Sequence, residues 1–77
     1  GKRLDRVAAD MSAGGGEHLG VLADLIGIEE ARHEAFFRLT QQNFSRIVPS
    51  VEVDAEQVLL NLQAVMAERE EWAVYLT

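Results

Sequence analysis

EEARHEAFFRLTQQNFSRIV, residues 29–48, is the stretch whose reading decides the fold. Wound at helical pitch, it gathers Phe36, Phe37, Leu39, Phe44 and Ile47 on one broad face and leaves Glu34, Arg38, Gln41, Gln42 and Ser45 on the wet side. No run of strict apolar–polar alternation argues for a strand here or elsewhere in the chain. The spacing predicts one uninterrupted helix from Glu29 to Val48. Pro49 stops it, because the residue before a proline is pushed out of the α region.

The same period extends to either side. Downstream, Ser50 to Val53 read as a linker. Asp54 then stands as the N-cap of a further helix, with Gln57 three residues later in a near capping-box arrangement. Val58, Leu59, Leu62, Val65 and Met66 form the expected buried face of that helix, and Leu60 points away from it. A final short turn or helix carries Trp72 and Tyr75. Upstream, Leu19, Leu22, Ala23 and Ile26 repeat at three and four over Glu17–Ile26, with Gly27 just past the end. Leu4, Val7, Ala8 and Met11 make a short first helix that stops at Gly14-Gly15-Gly16, a C-cap and hinge. The fold class is therefore all-α, a single compact bundle of four to five short helices over residues 1–77.

Composition bounds what such a bundle does. Its 77 residues suit one small domain, and folding at this length buries only about 60–65% of the extended chain's surface, which leaves marginal stability. The net charge is -6, and from Ser50 onward Arg69 alone opposes Glu52, Asp54, Glu56, Glu68, Glu70 and Glu71. A surface of that sign repels phosphates, so neither nucleic acid nor anionic membrane is an expected partner. With no cysteine there is neither a disulfide framework nor a thiolate metal site. The longest apolar run, Leu19 to Ile28, is broken by Asp24 and two glycines and is far short of the roughly 20 residues that cross a bilayer. The chain opens with Gly1-Lys2-Arg3-Leu4, as a processed piece of a longer precursor does.

Few residues point to chemistry. Ala23 to Ile28 has the glycine turn of a helix-turn-helix, but the following helix would bring Glu29, Glu30 and Glu34 to the phosphates, the wrong sign for a major groove. Glu30 and His33 have the Glu-x-x-His spacing by which helices present di-iron ligands; a complete site needs a second such pair and two more inward glutamates, which are missing. A core-edge histidine with a hydrogen-bond partner is the favoured reading of His33. Glu17 and His18, at a glycine-led helix start, suggest an anion site, yet the Lys and the Ser or Thr of a phosphate loop are absent. Ser12, Ser45 and Ser50 show no signature of an activated nucleophile. Thr40 and Asn43 share the apolar side of their helix and must find partners, either neighbouring backbone or a small polar pocket. Leu60, Trp72 and Tyr75 together make a sticky interaction surface if exposed, or close the end of the bundle if not.

Gly14-Gly15-Gly16-Glu17-His18-Leu19, Leu22-Ala23-Asp24-Leu25-Ile26-Gly27, Phe36 to Ser50 (FFRLTQQNFSRIVPS) and Val58 to Met66 (VLLNLQAVM) resemble the C-terminal part of a domain-of-unknown-function family of small bacterial proteins exported to the cell envelope. The likeness runs from about Leu4 to Tyr75 and rests on helix caps and core positions; Val48 departs from it where an aromatic is expected before Pro49-Ser50. It implies a periplasmic or exported bacterial protein and transfers no catalytic residue. The expectation is a non-enzymatic module that binds a protein partner or itself, with no cofactor. The rival is a small-ligand or metal-binding bundle centred on His33, with Glu30, Thr40 and Asn43 nearby.

Overall fold

The computed structural model describes residues 2–77. Six α-helical segments run in chain order as α1 (Lys2–Ala13), α2 (Glu17–Ile26), α3 (His33–Gln42), α4 (Phe44–Ile47), α5 (Ala55–Ala67) and α6 (Glu70–Ala73), and 3₁₀ turns precede α3 (Glu30–Arg32) and follow α6 (Val74–Leu76). No strand is present among the described residues. The radius of gyration, 11.3 Å, matches the roughly 11.5 Å expected of a packed chain of this length, so no helix is splayed from the rest.

The glycines end the first two helices by one device. At the close of α1, Gly14 N–H donates to Met11 O at 3.2 Å and Gly15 N–H to Asp10 O at 2.9 Å; at the close of α2, Gly27 N–H donates to Asp24 O at 3.1 Å and Ile28 N–H to Ala23 O at 2.9 Å. Each pair caps the last carbonyls through a left-handed residue, Gly14 at φ +83° and Gly27 at φ +97°, a conformation that costs glycine little. The start of α2 is less ordinary. Its N-cap is Gly16, which has no side chain to offer the free amides of the first turn. The acceptor comes from α1 instead: Asp10 Oδ2 takes the Leu19 N–H at 3.0 Å. A Cβ on Gly16 would lie 2.2 Å from the Asp10 Cγ, so the carboxylate reaches that amide only because residue 16 is glycine.

The single helix expected over 29–48 is two helices. Glu29 is extended at ψ 151°, the chain enters through the 3₁₀ turn, and the rod breaks at Asn43, whose φ of −115° and ψ of 21° leave the helical region. Asn43 Nδ2 donates to Leu39 O at 2.9 Å, where its own N–H also points at 3.2 Å. An asparagine side chain that competes for helix carbonyls in this way favours ends over interiors. Arg46 and Ile47 N–H then both donate to Asn43 O at 3.0 Å and begin α4, which ends at Val48 before Pro49.

Asp54 caps α5 by accepting from Gln57 N–H at 2.8 Å. Only half of the capping box forms, because the Gln57 amide turns along the helix to Asn61 Oδ1 at 2.8 Å. Asn61 in turn donates to Ile47 O at 3.2 Å and ties α5 to α4. Met11, Leu19, Phe36, Ile47, Leu62 and Met66 are fully buried at the centre, where α1 packs on α2 and α3 while α5 packs on α4 and α6. Thr40, also fully buried, donates to Phe37 O at 2.8 Å within its own helix, so no polar pocket forms around it.

Candidate functional site

Two exposed leucines face each other, and one of them was expected on the core side. Leu59, placed in the buried face of α5 by its spacing, is 46% exposed. At 100° per residue it lies at the edge of the stripe made by Val58, Leu62, Val65 and Met66, and the neighbouring helices cover the stripe only as far as Met66. Across from it on α2, Leu25 is 80% exposed. Leu25, Ile26, Leu59, Leu62 and Gln63, with Tyr75 and Leu76 from the last turn, line a groove of about 280 Å³. Val21, one helical turn before Leu25, extends the apolar strip along α2 at 54% exposure.

The wall carrying Tyr75 is pinned by Arg32. The Arg32 guanidinium stacks 4.4 Å above the Trp72 ring, and Nη1 donates to the Tyr75 hydroxyl at 2.8 Å and to Glu71 O at 3.2 Å. The Tyr75 hydroxyl donates onward to Glu29 Oε1 at 2.5 Å. That bond holds the Glu29 carboxyl below the usual carboxylate range and pushes the Tyr75 phenol above its ordinary value. Trp72 itself is 3% exposed, its ring 6.0 Å from Phe36 on one side and 6.1 Å from Tyr75 on the other. Of the trio expected to form a sticky surface, Trp72 is therefore core and Tyr75 is a groove wall. Leu60 is exposed, but it is turned about 100° past Leu59 and lies off the groove.

The residues around His33 are arranged differently from the ligand site of the rival reading. Its ring turns back to the end of α2, where Nε2 sits 2.9 Å from Ile28 O and 3.1 Å from Asp24 Oδ1. A nitrogen that donates to a carbonyl carries the proton and has no lone pair for a metal. Glu30 is exposed in the 3₁₀ turn, and among the described residues no three His, Cys, Asp or Glu side chains come together. Asn43 and Thr40 are engaged with carbonyls of α3 rather than with His33. At the start of α2, the place an anion would take is filled by Asp10, with His18 Nδ1 3.9 Å from its Oδ2.

Sequence spacing missed Leu25, Leu59 and Leu76 as a group. Leu25 was legible as the one large apolar residue off the α2 stripe beside the equally misplaced Val21, a pairing without use in a core. Among the described residues no helix is long and apolar enough to cross a membrane. The family model described as a protein of unknown function (DUF3015) matches residues 2–76. No curated protein and no solved structure matches the chain.

Proposed function

The chain belongs to that family of unknown function, DUF3015, and on this premise we propose that it is a non-enzymatic helical module of the bacterial envelope that works through protein contacts at the α2–α5 groove. The observation that carries the reading is Leu25, 80% exposed on a helix whose Leu19 and Ala23 are fully covered, and set against a second uncovered leucine, Leu59. Contiguous apolar surface of this kind, framed by polar residues, is what interaction sites expose. Leu62 forms the floor and Tyr75 supplies an amphipathic wall, the residue type that anchors interfaces. The envelope placement is supported by the resemblance of the glycine, FFRLTQQNFSRIVPS and VLLNLQAVM segments.

Site-specific photocrosslinking in living cells tests both halves of the proposal. A photoreactive residue at 25 or at 59 in the full-length protein is expected to give the same discrete adduct, in the envelope fraction, with none from position 34 on the exposed side of α3. Equal adducts from all three positions, or recovery of the protein in the cytoplasmic fraction, would overturn it.

A further inference from the structure

A second groove lies where α1 passes α4. Leu4 and Ala8 on α1, one helical turn apart, form one apolar ridge, and Phe44 on α4 with Val48 just past its end forms the other. Val51 and Val53 of the linker close one end. The trough between them has a volume of about 280 Å³, nearly twice the roughly 150 Å³ that holds a benzene in a protein interior, so it takes two apolar side chains. Val51 is 101% exposed: a β-branched apolar residue stands free at the rim, with nothing of its own chain against it.

One carboxylate lines this trough and others lie in the linker at its end. Asp5 lines it directly, and the linker that closes it carries Glu52, exposed between the two valines, with Asp54 two residues further on. Among the described side chains, the arginines of the same elements are directed elsewhere: Arg46 of α4 is paired with Glu68, and Arg3 and Arg6 lie 100° or more round α1 from the Leu4 ridge, on the side away from Asp5. An apolar trough with an anionic border fits an amphipathic segment whose apolar side chains recur at one-turn spacing and whose flanks are basic. A second copy fits poorly, because a two-fold contact would set Asp5 and Glu52 against themselves between chains that each carry -6.

We propose that the α1–α4 trough is a docking site for a cationic amphipathic helical segment of a partner protein, separate from the α2–α5 groove. The ridges receive its apolar pair, and Asp5 and Glu52 receive its Lys or Arg flanks.

The test is a titration of the isotope-labelled chain with two designed peptides of about 18 residues, five helical turns, sharing one leucine face and differing only in lysine or glutamate flanks. The lysine peptide is expected to shift the amides of Leu4, Ala8, Phe44, Val48 and Val51 saturably. Its affinity should fall at least about tenfold as the screening length is cut from about 30 Å to about 3 Å by salt. Asp5→Asn with Glu52→Gln should weaken it several-fold, and so should Val51→Ser; all three positions are exposed, so the helical circular dichroism should not change. Equal binding of the glutamate peptide, shifts confined to Leu25, Leu59 and Leu76, no shift at all, or self-association through the trough would each overturn the proposal. None of these outcomes touches the crosslinking at positions 25 and 59, so the two sites stand or fall separately.

Discussion

Alanine at Gly16 is the sharpest perturbation this chain offers, because two costs meet at one atom. Residue 16 has φ +154°, and its Cβ would sit 2.2 Å from the Asp10 Cγ. The backbone strain of a non-glycine residue there is about 1–3 kcal/mol. The carboxylate must also withdraw from Leu19 N–H, which forfeits a cap of about 1 kcal/mol, so Gly16→Ala is expected to cost about 2–4 kcal/mol in all. Asp10→Ala alone loses only the cap, about 1 kcal/mol. In the double variant the cap can be lost only once, and the combined cost should fall short of the sum by about 1 kcal/mol. A chain of this length has about 4–12 kcal/mol of stability, so urea denaturation followed by far-UV circular dichroism resolves all three variants. Strict additivity, or a Gly16→Ala cost below about 0.5 kcal/mol, would refute the reasoning that the glycine exists to admit the Asp10 carboxylate.

Three further outcomes follow from the C-terminal turns and the groove. Trp72→Ala should cost about 3–5 kcal/mol in the same denaturation assay, because it empties a buried site between Phe36 and Arg32. Tyr75→Phe should flatten the pH dependence of stability at both ends. Glu29, whose carboxyl is held low by Tyr75, stabilises the fold above its ordinary value of about 4.3 and ceases to do so as pH falls through the lower folded value. Tyr75, pushed up by Glu29, contributes below about 10 and stops doing so as pH rises through its higher folded value; urea midpoints across the pH range check both limbs. Leu25→Ser and Leu59→Ser should each change stability by less than about 0.5 kcal/mol while abolishing the crosslinks, since surface positions tolerate substitution; a melting-temperature drop comparable to that of Trp72→Ala would place them in the core.

The parts of the fold that were legible in the sequence are those set by local chemistry. Pro49, Gly27, the Gly14 stop and the Asp54 cap act within a few residues of themselves, and each does in the structure what its spacing implies. The break at Asn43 was not legible, because Phe44 and Ile47 keep helical phase across it and a single asparagine weighs little against that period. The site was hidden for a different reason. Whether Leu59 is covered depends on how far α2 and the last turn overhang α5, and Trp72 is inside because Arg32, from the far end of the α2–α3 connection, lies over its face. Such overlaps belong to the packing of elements distant in sequence, and no pattern within one element encodes them.

The stacked order of Arg32, Trp72 and Tyr75 also gives the molecule an optical reporter. The chain has one tryptophan and one tyrosine, and their ring centres are 6.1 Å apart. At that separation light absorbed by the phenol passes to the indole instead of being re-emitted, so the native protein should be silent in the tyrosine band. Because Tyr75 is a wall of the α2–α5 groove and follows Trp72 by three residues in one continuous turn, an occupant that levers the last turn outward disturbs the packing around the indole. Binding at that groove would then announce itself as a change in the indole emission of an unlabelled chain, while occupation of the α1–α4 trough would leave that emission as it is.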